Sequence, residues 1–158
     1  MLWGECLSGA LYWNDFLTIA RAAGFPDCRL LKSNRLGIKN AAVEALVGNI
    51  RFYSATYRLF KLPSLEGDCE DYGQAIKYLG TMAETPAAFT LDGHHVFEAH
   101  RYYSVCGNTF DMLALTRYRP HFELLGDRSI HYGIFPGCGK RLPFDDSGAA
   151  NKSTGGCC

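Results

Sequence analysis

Seven cysteines, Cys6, Cys28, Cys69, Cys106, Cys138, Cys157 and Cys158, carry most of the chemistry available to this 158-residue sequence. An odd count behind Met1-Leu2-Trp3-Gly4-Glu5, which lacks the basic start of a secretion leader, argues against a disulfide scaffold. Thiol chemistry in a reducing, cytoplasmic setting is the expectation. Thiolate sulfur is a soft donor and selects soft partners such as trivalent metalloids over hard oxygen-loving cations. Cys157 and Cys158 are adjacent after Gly155-Gly156, so a mobile tail could close both thiols on one soft atom; the plainer reading is an unselected terminus. Cys6 stands shortly before a helical pattern, where the helix dipole favours a thiolate, against the plainer role of a small buried hydrophobe. Cys28 and Cys106 lie in apolar strand contexts and read as core filling. Cys69 lies in a polar connector and reads as an exposed, oxidisable thiol. His94, Glu98 and His100 share one face of a candidate strand by parity and could bind zinc, although solvated strand histidines are commoner.

The elements that position these groups follow from periodicity and punctuation. Tyr12, Phe16, Ile19 and Ala23 recur at spacings of four, three and four, which predicts an amphipathic helix over 10–23 with Ser8 able to cap it and Gly24-Phe25-Pro26 ending it. A short strand over 28–34 and a short helix over 40–47, closed by Gly48, come next. Ile50 to Leu62 is the strongest strand because β-branched and aromatic residues fill it, with rings on both faces that predict packing on both. Pro63 to Asp71 is a turn-rich acidic connector. Beyond it, strands are predicted at 74–79, 87–91 and 95–105, the last two joined by Asp92-Gly93 as a type I′ hairpin. Asn108 can cap a helix over 109–116, and Phe122 to Leu125 forms another strand. Gly, Pro, Ser, Asp and Lys dominate from Gly133, which predicts a flexible tail.

Charge narrows the function classes. Sixteen basic residues balance sixteen acidic ones, so no net positive field draws the chain to nucleic acid or to anionic lipid. No uncharged apolar run approaches the roughly 18 residues of a membrane span. Residues 1–62 hold 8 basic and 4 acidic side chains, whereas 63–158 hold 8 basic and 12 acidic and all five histidines. The shift falls at the connector, and the expected organisation is a first module over 1–62, a connector over 63–71, an α+β domain over 72–132 and a cysteine-containing tail over 133–158. No Gly-x-Gly-x-x-Gly fingerprint or phosphate loop occurs.

Two long segments are informative beyond composition. Leu2-Trp3-Gly4-Glu5-Cys6-Leu7-Ser8-Gly9-Ala10-Leu11-Tyr12-Trp13 resembles a segment of arsenite methyltransferases, and Arg51-Phe52-Tyr53-Ser54-Ala55-Thr56-Tyr57-Arg58-Leu59-Phe60-Lys61 resembles a second one at the right distance downstream. Cys69 and the terminal Gly155-Gly156-Cys157-Cys158 also resemble family features. The resemblance implies the C-terminal half of such an enzyme: an α/β remnant of a Rossmann-like methyltransferase domain, followed by a small α+β C-terminal domain. It implies S-adenosylmethionine as methyl donor, bound by the half that precedes these motifs, and trivalent arsenicals as acceptors. Thiol reductants such as glutathione or thioredoxin are implied partners, and a monomer is expected. The resemblance places Cys6 on an arsenic-ligand cysteine and Ile50 where well-studied members carry another. With Cys6, Cys157 and Cys158 as candidate ligands and no cofactor-binding residue in the chain, the isolated polypeptide is expected to be inactive. The alternative is a non-catalytic thiol protein that binds soft metals or metalloids.

Overall fold

The computed structural model describes residues 7–137. Helix α1 (Trp13–Ala22) begins at Tyr12, with no side-chain cap, and not at Ser8. It ends as predicted, because Gly24 takes φ +92° and the amides of Gly24 and Phe25 return to the carbonyls of Arg21 and Ala20, the Schellman pattern that satisfies the last turn. Strand β1 (Cys28–Arg35) follows. Helix α2 (Ala41–Val47) opens on Asn40, whose side chain accepts from the amides of Ala42 and Val43. The chain then returns as β2 (Tyr53–Leu59), antiparallel to β1, with Cys28 opposite Leu59 and Arg35 opposite Tyr53. The register shifts between Leu30 and Lys32. β2 is shorter than the predicted strand, and Ser54, Ala55 and Thr56 at its centre are exposed, so its two faces are not both packed.

The rest of the chain folds around an aromatic core. Short strand β3 (Glu70–Asp71) is followed by β4 (Ala75–Tyr78), β5 (Ala88–Thr90), β6 (Val96–Glu98) and β7 (Tyr102–Ser104). Helix α3 (Gly107–Ala114), a 3-10 turn at Arg119–His121, β8 (Phe122–Leu125) and β9 (Gly133–Ile134) complete it. β4 is the centre of a three-stranded antiparallel sheet between β7 and β8. β5 and β6 form a hairpin, and β3 pairs with β9. The strand predicted over 95–105 is two strands, because His100 turns the chain at φ +66° and sends β7 to a different partner from β6. The β5–β6 turn is also wider than a two-residue type I′ turn: Thr90 faces Val96, and the amide of Leu91 reaches the His95 carbonyl. Residues 133–137 belong to the folded body, since β9 pairs with β3 and buried Phe135 donates its amide to the Cys69 carbonyl.

Tyr78, Phe89, Phe97, Tyr118 and Phe122 meet ring to ring at 4.9–6.2 Å between centroids, alongside buried Ile76, Leu91, Val105, Met112 and Leu113. Rings of this size bury large apolar areas and add edge-on contacts. Phe60 and Leu65 reach this cluster from the end of the β1–β2 hairpin and the connector.

Candidate functional site

A cavity of about 840 Å³ opens where the chain before α1 meets the start of β2. Leu7, Tyr12, Trp13 and Phe16 line one side, and Ile50, Phe52 and Tyr57 the other. The two halves meet because antiparallel β2 carries Tyr57 back to α1, where its ring lies 4.7 Å from that of Phe16. Leu7 directly follows Cys6 in the sequence. Leu7 therefore lies on one wall and Ile50 on the other. Cys6, Cys157 and Cys158 themselves lie outside the described residues, as does Cys138. Inside the cavity wall the Tyr57 hydroxyl has no hydrogen-bond partner among the described residues, and burial, with Cys28 nearby, pushes its proton affinity up. Cys28 beneath it donates to the Phe25 carbonyl at 3.5 Å, and burial, with Asp27 beside it, raises that thiol too. Thiol and phenol thus stay neutral at neutral pH, and Arg51 is the charged residue among those that line the cavity.

A second, polar cluster ties β1 to the turns of the aromatic body. Arg29 is buried on β1, 2.8 Å from Asp27 and 3.2 Å from Asp92. Asp92 is the working residue of the β5–β6 turn: one oxygen accepts from the amides of His94 and His95, and both lie within 2.8 Å of His95 Nδ1. A carboxylate only accepts, so that nitrogen carries the proton. Burial works against the Asp92 charge, but hydrogen bonding from His95 and the nearby positive charge of Arg29 outweigh it and hold the carboxyl well below the usual carboxylate range. Burial likewise opposes the Arg29 charge and is outweighed by Asp27, with Cys106 and Asp92 adding to it. The amide of Gly93 donates to the carbonyl of Leu30 at 2.9 Å, where the β1–β2 register shifts. Arg58 on β2 donates to the carbonyls of Thr90 and Leu91 and sits 5.5 Å from the centroid of the Phe89 ring.

The connector packs on the start of α3. Asn108 does not cap that helix; Cys106 occupies the N-cap position. The Asn108 side chain accepts from the Glu66 amide at 2.7 Å and donates to the Glu66 carbonyl at 2.9 Å and to Asp27 at 3.0 Å. Cys69 is half-buried against the core, not an exposed connector thiol, and packs against the cluster that contains fully buried Cys106. The neighbouring Cys69 thiol, with Arg29 and with Thr109, whose hydroxyl lies 3.3 Å from the Cys106 sulfur, outweighs burial and lowers the Cys106 thiol to about 5. Cys106, with burial, in turn pushes the Cys69 thiol up. No signal in the sequence joined Cys69 to Cys106; only the return of β7 into α3 beside β3 does so.

His94, Glu98 and His100 do not form a metal site. His94 precedes β6, Glu98 pairs with Arg101 at 2.6 Å, and His100 is in the turn. Among the described residues no group of three or more His, Cys, Asp or Glu could hold a metal ion, and no helix is long and apolar enough to cross a membrane.

No protein-family model matches the chain. It is 52% identical over all 158 residues to the arsenite methyltransferase of Aquipseudomonas alcaligenes, covering 45% of that protein. It is 36% identical over 124 residues to the arsenite methyltransferase of Rattus norvegicus, covering 77% of this chain and 32% of the relative. Its fold matches the crystal structure of an arsenic(III) S-adenosylmethionine methyltransferase from Chlamydomonas reinhardtii with a TM-score of 0.81 at 47% identity, over 85% of this chain and 45% of that one. The α/β body described above thus matches a portion of the structure of a methyltransferase. Within that class, the chain is a relative of the arsenite methyltransferases, and it spans under half the length of the curated relatives it matches.

Proposed function

We propose that this chain is the C-terminal half of an arsenite methyltransferase, which transfers methyl groups from S-adenosylmethionine to trivalent arsenic held by thiolates. The observation that carries this reading is the pairing of 52% identity over all 158 residues to part of such an enzyme with a cavity that brings together the segment following Cys6 and Ile50. Thiolate sulfur suits trivalent arsenic, which keeps its lone pair when held by sulfur and can attack an electrophilic carbon in line. The chain's own contribution is to hold the metalloid through Cys6 beside an aromatic wall of Tyr12, Trp13, Phe16 and Phe52. Ile50 supplies shape but no second sulfur.

The described residues do not fit the methyl donor. No described strand runs through a glycine-rich turn into a helix; β1 and β2 are antiparallel, and the described helices start after Tyr12, Asn40 and Cys106. S-adenosylmethionine is therefore assigned no residue here, and its site would belong to the part of the relatives that this chain does not span. On this reading α1, β1, α2 and β2 are the last elements of a Rossmann-like methyltransferase domain, residues 72–132 a separate C-terminal domain, and soluble thiols such as glutathione or thioredoxin the reductants.

The cavity assignment is tested by Ile50→Cys. A second thiol facing Cys6 would turn a single-point contact into a chelate, and effective concentration then raises affinity by about 10²-fold or more. Titration of the reduced Trp3→Phe chain with phenylarsine oxide, followed by fluorescence of Trp13 in the cavity wall, should show that gain, and Cys6→Ser should remove it. An unchanged titration in Ile50→Cys would place Cys6 away from this cavity.

A further inference from the structure

We propose that Cys69 and Cys106 form a peroxide-sensitive dithiol that closes to an intramolecular disulfide and staples the connector to the start of α3. The inference is independent of the methyltransferase reading. It rests first on how closely two chain segments run together. Glu66 is bonded to Asn108 by two hydrogen bonds of 2.7 and 2.9 Å. Tyr72 lies so close to Gly107 that a Cβ there would come within 2.9 Å of its ring. Cys69 lies between Glu66 and Tyr72 in sequence, and Cys106 directly precedes Gly107 and Asn108. These contacts hold the two cysteines, both free thiols, next to each other across the connector and the start of α3.

The surroundings favour a thiolate on one member of the pair. Cys106 caps an eight-residue helix, so its sulfur faces the positive end of the helix dipole. Arg29 is the nearby cation, with a side chain only 8% exposed and an Nε without a hydrogen-bond partner among the described residues. Thr109 Oγ1 lies 3.3 Å from the sulfur. Cys69 is the half-buried partner through which a small oxidant reaches the pair. Cys106 has no exposed surface, which leaves hydrogen peroxide rather than a bulky disulfide as the oxidant of suitable size.

The step balances. The Cys106 thiolate attacks one peroxide oxygen, the O–O bond breaks, and the products are a sulfenic acid and hydroxide. The Cys69 sulfur then attacks the sulfenic sulfur, forming the S–S bond and releasing the sulfenic oxygen as water with the Cys69 proton. Hydroxide takes up the proton that Cys106 had released to solvent. Two thiols lose two electrons, and one peroxide becomes two waters.

The test is graded oxidation of the fully reduced 158-residue chain with hydrogen peroxide, followed by alkylation, digestion and mass spectrometry. A Cys69–Cys106 linked peptide should appear first and vanish on reduction. In Cys69→Ser, Cys106 should be trapped as the sulfenic acid when dimedone is added together with denaturant after the peroxide step. In Cys106→Ser the fold should survive, since serine is a favoured N-cap, and Cys69 oxidation should slow by about tenfold or more. Cys69 linked chiefly to a tail cysteine, Cys106 still reduced when other thiols are oxidised, or unchanged Cys69 oxidation in Cys106→Ser would each overturn the proposal.

Discussion

Replacing Arg29 by methionine should be among the most destabilising single changes in the chain, because it removes the cation from a buried cluster and leaves its anions behind. Asp92 is only 3% exposed and would keep its two amide donors and His95 while losing its contact to Arg29 at 3.2 Å. Stranding one partner of a buried ion pair costs about 3–5 kcal/mol, and the retained donors put Asp92 at the lower end. Asp27, with a side chain 19% exposed, can regain water and adds at most about 1 kcal/mol. Methionine replaces most of the aliphatic stem, so the cavity contribution stays small. The expected loss is about 3–4 kcal/mol, read as a lower urea midpoint at pH 7 with an unchanged slope, or as roughly 10 °C in the thermal midpoint. A double-mutant cycle with Asp92→Asn should give a coupling above about 1 kcal/mol. A loss under 1 kcal/mol for Arg29→Met, or an absent coupling, would show that β1 and the β5–β6 turn are not joined as described.

Acid should weaken the fold through the same residue. The Asp92 carboxyl is held below its unfolded value of about 3.9, so its contribution is fully present above that value and is lost as pH falls through the lower folded one. Urea midpoints between pH 2 and 5 should fall with pH in the parent chain and fall less steeply in Arg29→Met; parallel curves would refute the assignment. Gly80→Ala should cost more than about 1 kcal/mol, since φ is +68° and the new Cβ would lie 2.8 Å from the Pro86 carbonyl oxygen. A thermal midpoint within error of the parent would contradict that packing.

The elements were legible where local chemistry decides them. Gly24 ends α1 and Asn40 opens α2 as their residue types require, and the rings of 50–62 marked a strand. What failed was decided at long range. Asp92-Gly93 has the composition of a tight turn, but the Asp92 carboxylate is taken up by His94, His95 and Arg29, the last 63 positions away, and the turn opens to admit them. Asn108 has the composition of a cap, but Glu66 and Asp27 claim its amide. Gly133 to Phe135 reads as flexible tail because two residues of strand carry no periodic signal; pairing with Glu70 and Asp71 orders them. For the candidate site, residue types near Cys6 and Ile50 were readable from two motifs, whereas the approach of Cys69 to Cys106 depends on the order of strands in separate sheets.

The proposed function depends most on Cys6 as the residue that would hold trivalent arsenic for methyl transfer. The direct measurement joins this chain to the portion of the Aquipseudomonas alcaligenes relative that it does not span and assays methylarsenical production from arsenite, S-adenosylmethionine and a thiol reductant. The chain alone should give no product above background. The joined enzyme should be active, Cys6→Ser should abolish methyl transfer, and the Cys157→Ser, Cys158→Ser double variant should remain active. A joined enzyme that methylates arsenite at an undiminished rate with Cys6→Ser would contradict the account.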